Sequence, residues 1–442
     1  MATQGTQQLA EALLAAGKAA AKGADVFARV DAGRSAHTRF ARSEVTTAGD
    51  VDDVSLSLSV SFGARSASVS GNQTSKAALA ALADQAARLA RIAPEDPENM
   101  PSLGAQTYTA APAAYDNATA KQPASARVDV ARAAIAHGDA AGVELAGFLS
   151  VGEALTALAT SAGLRASHRA TYAELTTTAR TKDGTGSGWA GGYSRKASGL
   201  DGGAIGKIAV EKAVRAQKPR KLAPGRYTVI LEPAAVADLV TALIGDARSA
   251  DEGRSFYSKK GGGTRLGETL FPKTVTLRSD PRDPLLPGTP FDGEGLPLAP
   301  ITWIDQGVAK ALQVDRYWAQ KTKQKPTGSH DTFTLVGGTD TLDGLIGSTK
   351  RGLLVTRFWY VNEVDPQSLL MTGLTRDGVF LIEDGKIVHP VQNFRFNESP
   401  VNMLKHVDGM TPAVIAPGSS GSVACPALRA HEFLMASASD AV

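Results

Sequence analysis

The sequence predicts an α+β protein. A helix-and-sheet domain is expected over residues 1–220, followed by a β-rich domain, a distorted barrel or sandwich, over 225–442. Three observations lead there. Val54, Leu56, Leu58, Val60 and Phe62 alternate with Ser55, Ser57, Ser59 and Ser61, the period of a strand with one buried face. Leu79, Leu82, Ala86, Leu89 and Ile92 recur at helical spacing. Beyond Gly225 the apolar runs are mostly short and are separated by Gly, Pro and Asp turns.

Taken in order, residues 7–22 read as a small amphipathic helix with Leu9, Leu13 and Leu14 on one side. Residues 25–30 and 36–42 read as two short strands around Gly33. The alternating strand follows, then a turn at 63–65 and a partner strand at 66–70. Ser75 is placed to cap the next helix, which stops before Pro94. Residues 94–123, rich in Pro and Ala, are expected to form a long surface connection. A helix at 128–137 precedes strands at 143–150, 154–160, 164–180 and 188–194, and Thr171 and Thr176 to Thr178 favour extended structure. A helix at 204–216 ends before the basic, proline-punctuated stretch 218–224, the expected domain boundary, including the long connection near 94–123 in the first domain. Residues 228–246 read as a strand entering a helix, with Pro233 in the permissive first turn.

A length of 442 residues suffices for two or three cores. A net charge of +3 over that length gives no electrostatic case for nucleic acid. The single cysteine, Cys425, excludes an internal disulfide framework and reads as a buried thiol. Glu11, Lys18 and Lys22 interrupt the Ala-rich start, so no signal peptide is expected. No run approaches the ~20 apolar residues of a spanning helix. A cytoplasmic protein without membrane or nucleic-acid partners is expected.

Several stretches carry a family resemblance. They include 38–45, Thr160-Ser-Ala-Gly163, Arg254-Ser-Phe256, 275–284, Pro290-Phe-Asp-Gly-Glu-Gly295, Thr327-Gly-Ser329, 351–356 and 382–391. In order and spacing the chain resembles the TldD/PmbA (modulator of DNA gyrase) family of metallopeptidases over most of its length. The TldD-type subunit bears His-Glu-x-x-x-His on a helix; the matching residues here are Thr241-Ala-Leu-Ile-Gly-Asp246, with Thr241, Ala242 and Asp246 at the key positions. The resemblance therefore implies a PmbA/TldE-like subunit that lacks the zinc motif, dimerises and is cytosolic. It implies no cofactor in this chain and zinc only in a TldD-like partner. The family's Cys ligand near the C-terminus matches the turn Gly418-Ser-Ser-Gly421, a few residues from Cys425. Met371-Thr-Gly-Leu-Thr-Arg-Asp-Gly378 departs from the family's usual turn, and 393–399 sounds more TldD-like.

The residues themselves point the same way. A zinc peptidase needs two histidines one turn apart, a third ligand and a general base. The seven histidines, His37, His137, His168, His330, His389, His406 and His431, include no such pair. The loop 262–269 has phosphate-loop spacing, but Glu268 stands where Lys belongs, which leaves a glycine loop or flap. Asp292 and Glu294 flank Gly293, placed either to receive a basic group or to form an Asx turn. Arg254, beside Ser255, is a candidate to grip a carboxylate, with a surface ion pair as the alternative. Arg254, Ser255, Asp292 and Glu294 are thus the candidates for a peptide groove or partner contact. The function expected is a non-catalytic subunit that pairs with a TldD-like zinc-bearing chain and holds extended or unfolded peptide. A stand-alone homodimeric peptide-binding or regulatory protein is one alternative, and an autonomous metallopeptidase with an unrecognised site is the other.

Overall fold

A computed structural model of the chain describes residues 3–111 and 114–439. The N-terminal half contains β1 (Asp25–Ala41), β2 (Glu44–Phe62), β3 (Arg65–Gly71), β4 (Val143–Thr160), β5 (Arg165–Thr181) and β6 (Ser187–Ser194). All neighbours are antiparallel, in the order β3-β2-β1-β4-β5-β6. Helices α1 (Thr3–Ala20), α2 (Lys76–Ile92), α4 (Ala124–Ala141) and α5 (Gly202–Arg215) flank it, with a single turn, α3 (Asn117–Ala120), between the two pairs. Leu56, Leu58 and Val60 are buried with Leu13 and Leu14 of α1 and the alanines of α2. Helices α4 and α5 cover Leu145, Leu149, Ala173 and Leu175 further along the sheet. Alternation in the sequence is thus one buried face, and burying it is the main driving force for this half.

The structure differs from the sequence reading in three places here. The paired short strands around Gly33 and near Gly152 are single strands of 17 and 18 residues. A Cβ on Gly33 would lie 2.5 Å from the Glu153 carbonyl oxygen, and one on Gly152 would lie 2.1 Å from that of Arg34. These glycines therefore permit close approach of adjacent backbones within the sheet and do not turn the chain. Helix α2 buries Leu79, Ala83, Ala86, Ala87 and Ala90, while Leu89 and Ile92 are exposed. Small residues set its contact face because it lies close against α1. Ser75 does cap it, its Oγ accepting from the Ala78 N–H at 3.2 Å. In the connection that follows, Pro112 and Ala113 lie outside the described residues, and Tyr108 packs on Phe291 instead of lying free on the surface.

The second half contains β7 (Gly225–Leu231), α6 (Pro233–Val240), α7 (Ala247–Asp251), β8 (Leu277–Ser279), β9 (Ile301–Asp305), β10 (Val308–Ala309), α8 (Arg316–Thr322), β11 (Phe333–Leu335) and α9 (Leu342–Gly347). It continues with β12 (Arg351–Asp365), β13 (Leu370–Glu383), β14 (Lys386–Pro390), β15 (Phe394–Glu398), α10 (Pro400–Lys405), β16 (Val407–Met410), β17 (Val414–Ile415), β18 (Val423–Cys425) and β19 (Leu428–Ala438). Strands β12, β7, β19, β15 and β13 pair in that order, and β13 pairs back to β12, closing a five-strand barrel. Beside it lies a six-stranded sheet in the order β10-β9-β8-β11-β18-β17. Phe358, Phe396 and Phe433 form a buried aromatic cluster, with Phe358 and Phe396 centroids 4.3 Å apart. Among the described residues no helix is long and apolar enough to cross a membrane.

The two halves are bolted together. The Tyr108 hydroxyl donates to the Gly295 carbonyl at 2.7 Å, and burial pushes that phenol up to about 12. Arg248 grips Glu98 with two bonds of 2.7 and 2.9 Å, and Lys212 pairs with Glu232 at 2.6 Å.

Candidate functional site

The segment that resembles a zinc helix begins as a helix and then stops. Pro233 occupies the first turn of α6, where its missing N–H costs no bond. After Val240 the chain tightens into a 3-10 turn, Thr241–Leu243. Asp246 then caps α7, its carboxylate accepting from the Ser249 N–H at 2.9 Å. The break changes where the residues point. Thr241 lines a cleft of about 550 Å³, whereas Ala242 and Asp246 line a different one of about 480 Å³. The segment divides its three key positions between two cavities instead of gathering them around one.

The donor set does not suit zinc. A hydroxyl, a methyl group and a carboxylate already committed to a cap stand at the three key positions. Among the described residues no group of three or more His, Cys, Asp or Glu side chains is placed to hold a metal. Cys425 is fully buried, its thiol donating to the Pro233 carbonyl at 3.3 Å. Burial, aided by the nearby Asp238 charge, pushes that thiol well above its ordinary value, away from the thiolate a metal needs. No step through a metal follows from these residues.

The larger cleft is built where the two halves meet. Trp189 comes from β6, Asp238 and Thr241 from α6 and its extension, and Arg357, Trp359 and Val361 from β12; the turn carrying Ser419 and Ser422 completes the lining. The Arg357 guanidinium lies 4.9 Å from the Trp189 ring and 5.3 Å from the Trp359 ring, and Arg376 lies 4.9 Å from Trp359 on its own account. Both Nε and Nη2 of Arg357 donate to Asp377 Oδ2, and the Ser187 hydroxyl donates to Asp377 Oδ1 at 2.5 Å. Asp377 is almost wholly buried; its pair with Arg357 lies within the β12–β13 hairpin, and the Ser187 bond ties it to the N-terminal sheet. Asp238 is different. It is open to solvent along the cleft yet surrounded by protein mass, which pushes its carboxyl up to about 7 against the opposing pull of Arg357. Among the described residues no side chain bonds to it.

The sequence candidates fall in two places. Arg254 and Ser255 line the smaller cleft with Ala242 and Asp246. There Arg254 is half-exposed and paired with Glu252 at 2.6 Å, and the Ser255 hydroxyl accepts from the Tyr257 N–H. Asp292 and Glu294 lie elsewhere, where the second half meets the N-terminal sheet. Asp292 Oδ1 accepts from the N–H groups of Glu294 (3.0 Å) and Leu296 (2.9 Å), and burial raises its carboxyl above the ordinary range. Glu294 holds Arg316 at 2.6 Å, and Arg316 in turn reaches the Pro101 carbonyl. In the glycine loop Glu268 pairs with Lys259 and Arg265. Asp238, Arg357, Asp377 and Trp189 were not singled out from sequence. Asp238 had a legible signal: it is the lone acid in a helix whose neighbours Ala235, Val236, Ala237 and Leu239 are all buried.

Comparison with known proteins fits this architecture. Residues 26–90 match the model of PmbA/TldA metallopeptidase domain 1, 108–217 that of the central domain, and 224–437 that of the C-terminal domain. A metalloprotease of Methanothermobacter thermautotrophicus is 26% identical over 222 residues, 47% of each chain. A metalloprotease PmbA homolog of Haemophilus influenzae is 26% identical over 212 residues, 46% of this chain and 45% of the other. The match thus spans about half the length of these curated relatives. The crystal structure of TldE from Thermococcus kodakarensis, 18% identical, superposes with a TM-score of 0.83 over 96% of this chain and 99% of that one, which speaks for the fold. With three domain models matched in order across most of its length, the chain belongs to the PmbA/TldD metallopeptidase family.

Proposed function

We propose that the chain is the non-catalytic, TldE/PmbA-like member of a heteromeric zinc peptidase of the cytoplasm, which dimerises with a TldD-like zinc-bearing subunit and holds extended peptide. The observation that carries this is the broken zinc-helix segment. Its key positions are Thr241, Ala242 and Asp246, they face two different cavities, and Asp246 is committed to capping α7. Extended peptide suits the surroundings: the six-stranded sheet ends on β17, whose Val414 is exposed, just before the turn that walls the larger cleft. An open strand edge binds main chain without selecting sequence. Metal analysis on the protein purified alone and with a TldD-like chain tests the reading. Zinc and peptide hydrolysis only in the mixture, at near-equal stoichiometry, is the expected result. Zinc near one per chain in the isolated protein, or a stable homodimer that ignores the TldD-like chain, overturns it.

A further inference from the structure

The larger cleft contains two opposite charges in different states. Arg357 is bonded to Asp377, a carboxylate that Arg376 also approaches to 3.8 Å. Asp238 has no hydrogen-bonding or ion-pair partner among the described side chains, lies open along the cavity, and sits one turn before the Thr241 hydroxyl on the same wall. Ser419 and Ser422 also line the cleft, but each hydroxyl donates to a backbone carbonyl of its own turn. Asp238 is therefore the one charged side chain of the lining that lacks a partner among the described residues. Trp359, Val361 and Met371 supply an apolar wall beside it. A cavity of about 550 Å³ with one free carboxylate, hydroxyls and an apolar wall fits a primary ammonium group followed by a small side chain.

We infer that Asp238 anchors the amino terminus of an extended peptide in this cleft, its carboxylate bonding the α-ammonium group while Trp359, Val361 and Met371 receive the first side chain. The inference rests on the peptide-binding reading above and gives it a direction: the bound chain enters amino end first. A carboxylate ligand is disfavoured, because Arg357 already spends Nε and Nη2 on Asp377 and Asp238 would repel the newcomer. Since only ionised Asp238 holds a cation, affinity should climb as pH rises through about 7, towards which burial raises this group. The charged and titratable groups acting on it are Arg357 of β12 and Cys425 of β18, and burial holds the Cys425 thiol well above that interval.

Calorimetric titration of the full chain with hexa-alanine amide and with its N-acetyl form decides the matter, with n-butylammonium as a third probe. The free-amine peptide is expected to bind at least tenfold more tightly than the acetylated one. That difference should disappear in Asp238→Asn, return in part in Asp238→Glu, and shrink between pH 7.5 and 5.5 in the unaltered chain only. Near-ultraviolet circular dichroism establishes that both variants keep the fold. Equal binding of the two peptides, or a preference that survives in Asp238→Asn, overturns the anchor while leaving peptide binding intact. Butylammonium binding that depends on Asp238, with no peptide binding, keeps the amine site and sinks the peptide reading. Tighter binding of a free-carboxylate peptide than of its amide assigns the cleft to Arg357 and overturns the proposal.

Discussion

The N-terminal sheet and the β12–β13 hairpin are both antiparallel β-structure, and they are built on opposite principles. From Asp25 to Arg39, β1 pairs with β2 without interruption, and β4 pairs with β5 without a shift from Val143 to Ala159. The hairpin changes register three times between Val355 and Asp365. Non-glycine residues with positive φ follow the same division. Among the described residues the sheet has Arg42 and Ser43, both at the β1–β2 turn, whereas Tyr360, Leu369 and Asp377 all occur in or beside the hairpin. Such conformations cost free energy and persist only where surrounding structure fixes them. The hairpin is also where Arg357 and Trp359 line the cleft and Asp377 holds Arg357 in place. Regularity serves burial of one face; irregularity re-aims side chains toward a cavity.

The comparison can be broken by substitution. Phe396→Ala, which empties the centre of the aromatic cluster, should cost about 4 kcal/mol in denaturant unfolding. Asp377→Ala leaves the Arg357 cation without its partner and should cost about 3 kcal/mol, detected as a lower denaturation midpoint. If both values fall below the cost of a sheet substitution, the irregular hairpin is not the better-braced region. Gly33→Ala forces β1 and β4 apart at the Glu153 carbonyl and should cost about 2 kcal/mol. A neutral result there would mean that the sheet relaxes where its register says it cannot.

Much of the sheet was legible because its information is local. Leu56, Leu58 and Val60 announce their own burial by alternating with serine, and Ser75 announces a cap. Gly33 was misread because a glycine that turns the chain and one that lets another strand approach look identical in one dimension. The cleft was largely hidden for a related reason. Trp189 and Asp377 are 188 positions apart, and no short-range pattern joins the Ser187 hydroxyl to Asp377. The family resemblance located the α6 segment, but only the fold shows the helix ending at Val240 and its continuation divided between two cavities.

Smaller effects sharpen the picture at α6. Asp246→Ala removes the cap of α7 and should cost about 1 kcal/mol, with no change in the metal content of a complex with a TldD-like chain. A loss of metal would assign Asp246 a ligand's role. The last effect is one of pH. Asp238 has a carboxyl raised from 3.8 to about 7, so between those values the folded state holds a proton that the unfolded state has released. Stability from this group is therefore greatest in acid and declines as pH rises from about 4 to 7, then levels. Asp238→Asn should flatten that slope in thermal unfolding measured at several pH values. An unchanged slope would place the titration elsewhere.

The short segment between the halves has a practical meaning. Lys218, Arg220 and Lys221 are exposed, and the Arg220 backbone pairs with Pro390 and Gln392 of the barrel side. A trypsin-like protease cutting after Lys221 would sever the covalent thread and little else. The Tyr108–Gly295, Glu98–Arg248, Lys212–Glu232 and Ser187–Asp377 contacts would remain. The nicked molecule should then travel as one particle in gel filtration and separate into two pieces only in denaturant, which makes this stretch a natural place to split the gene or join new termini.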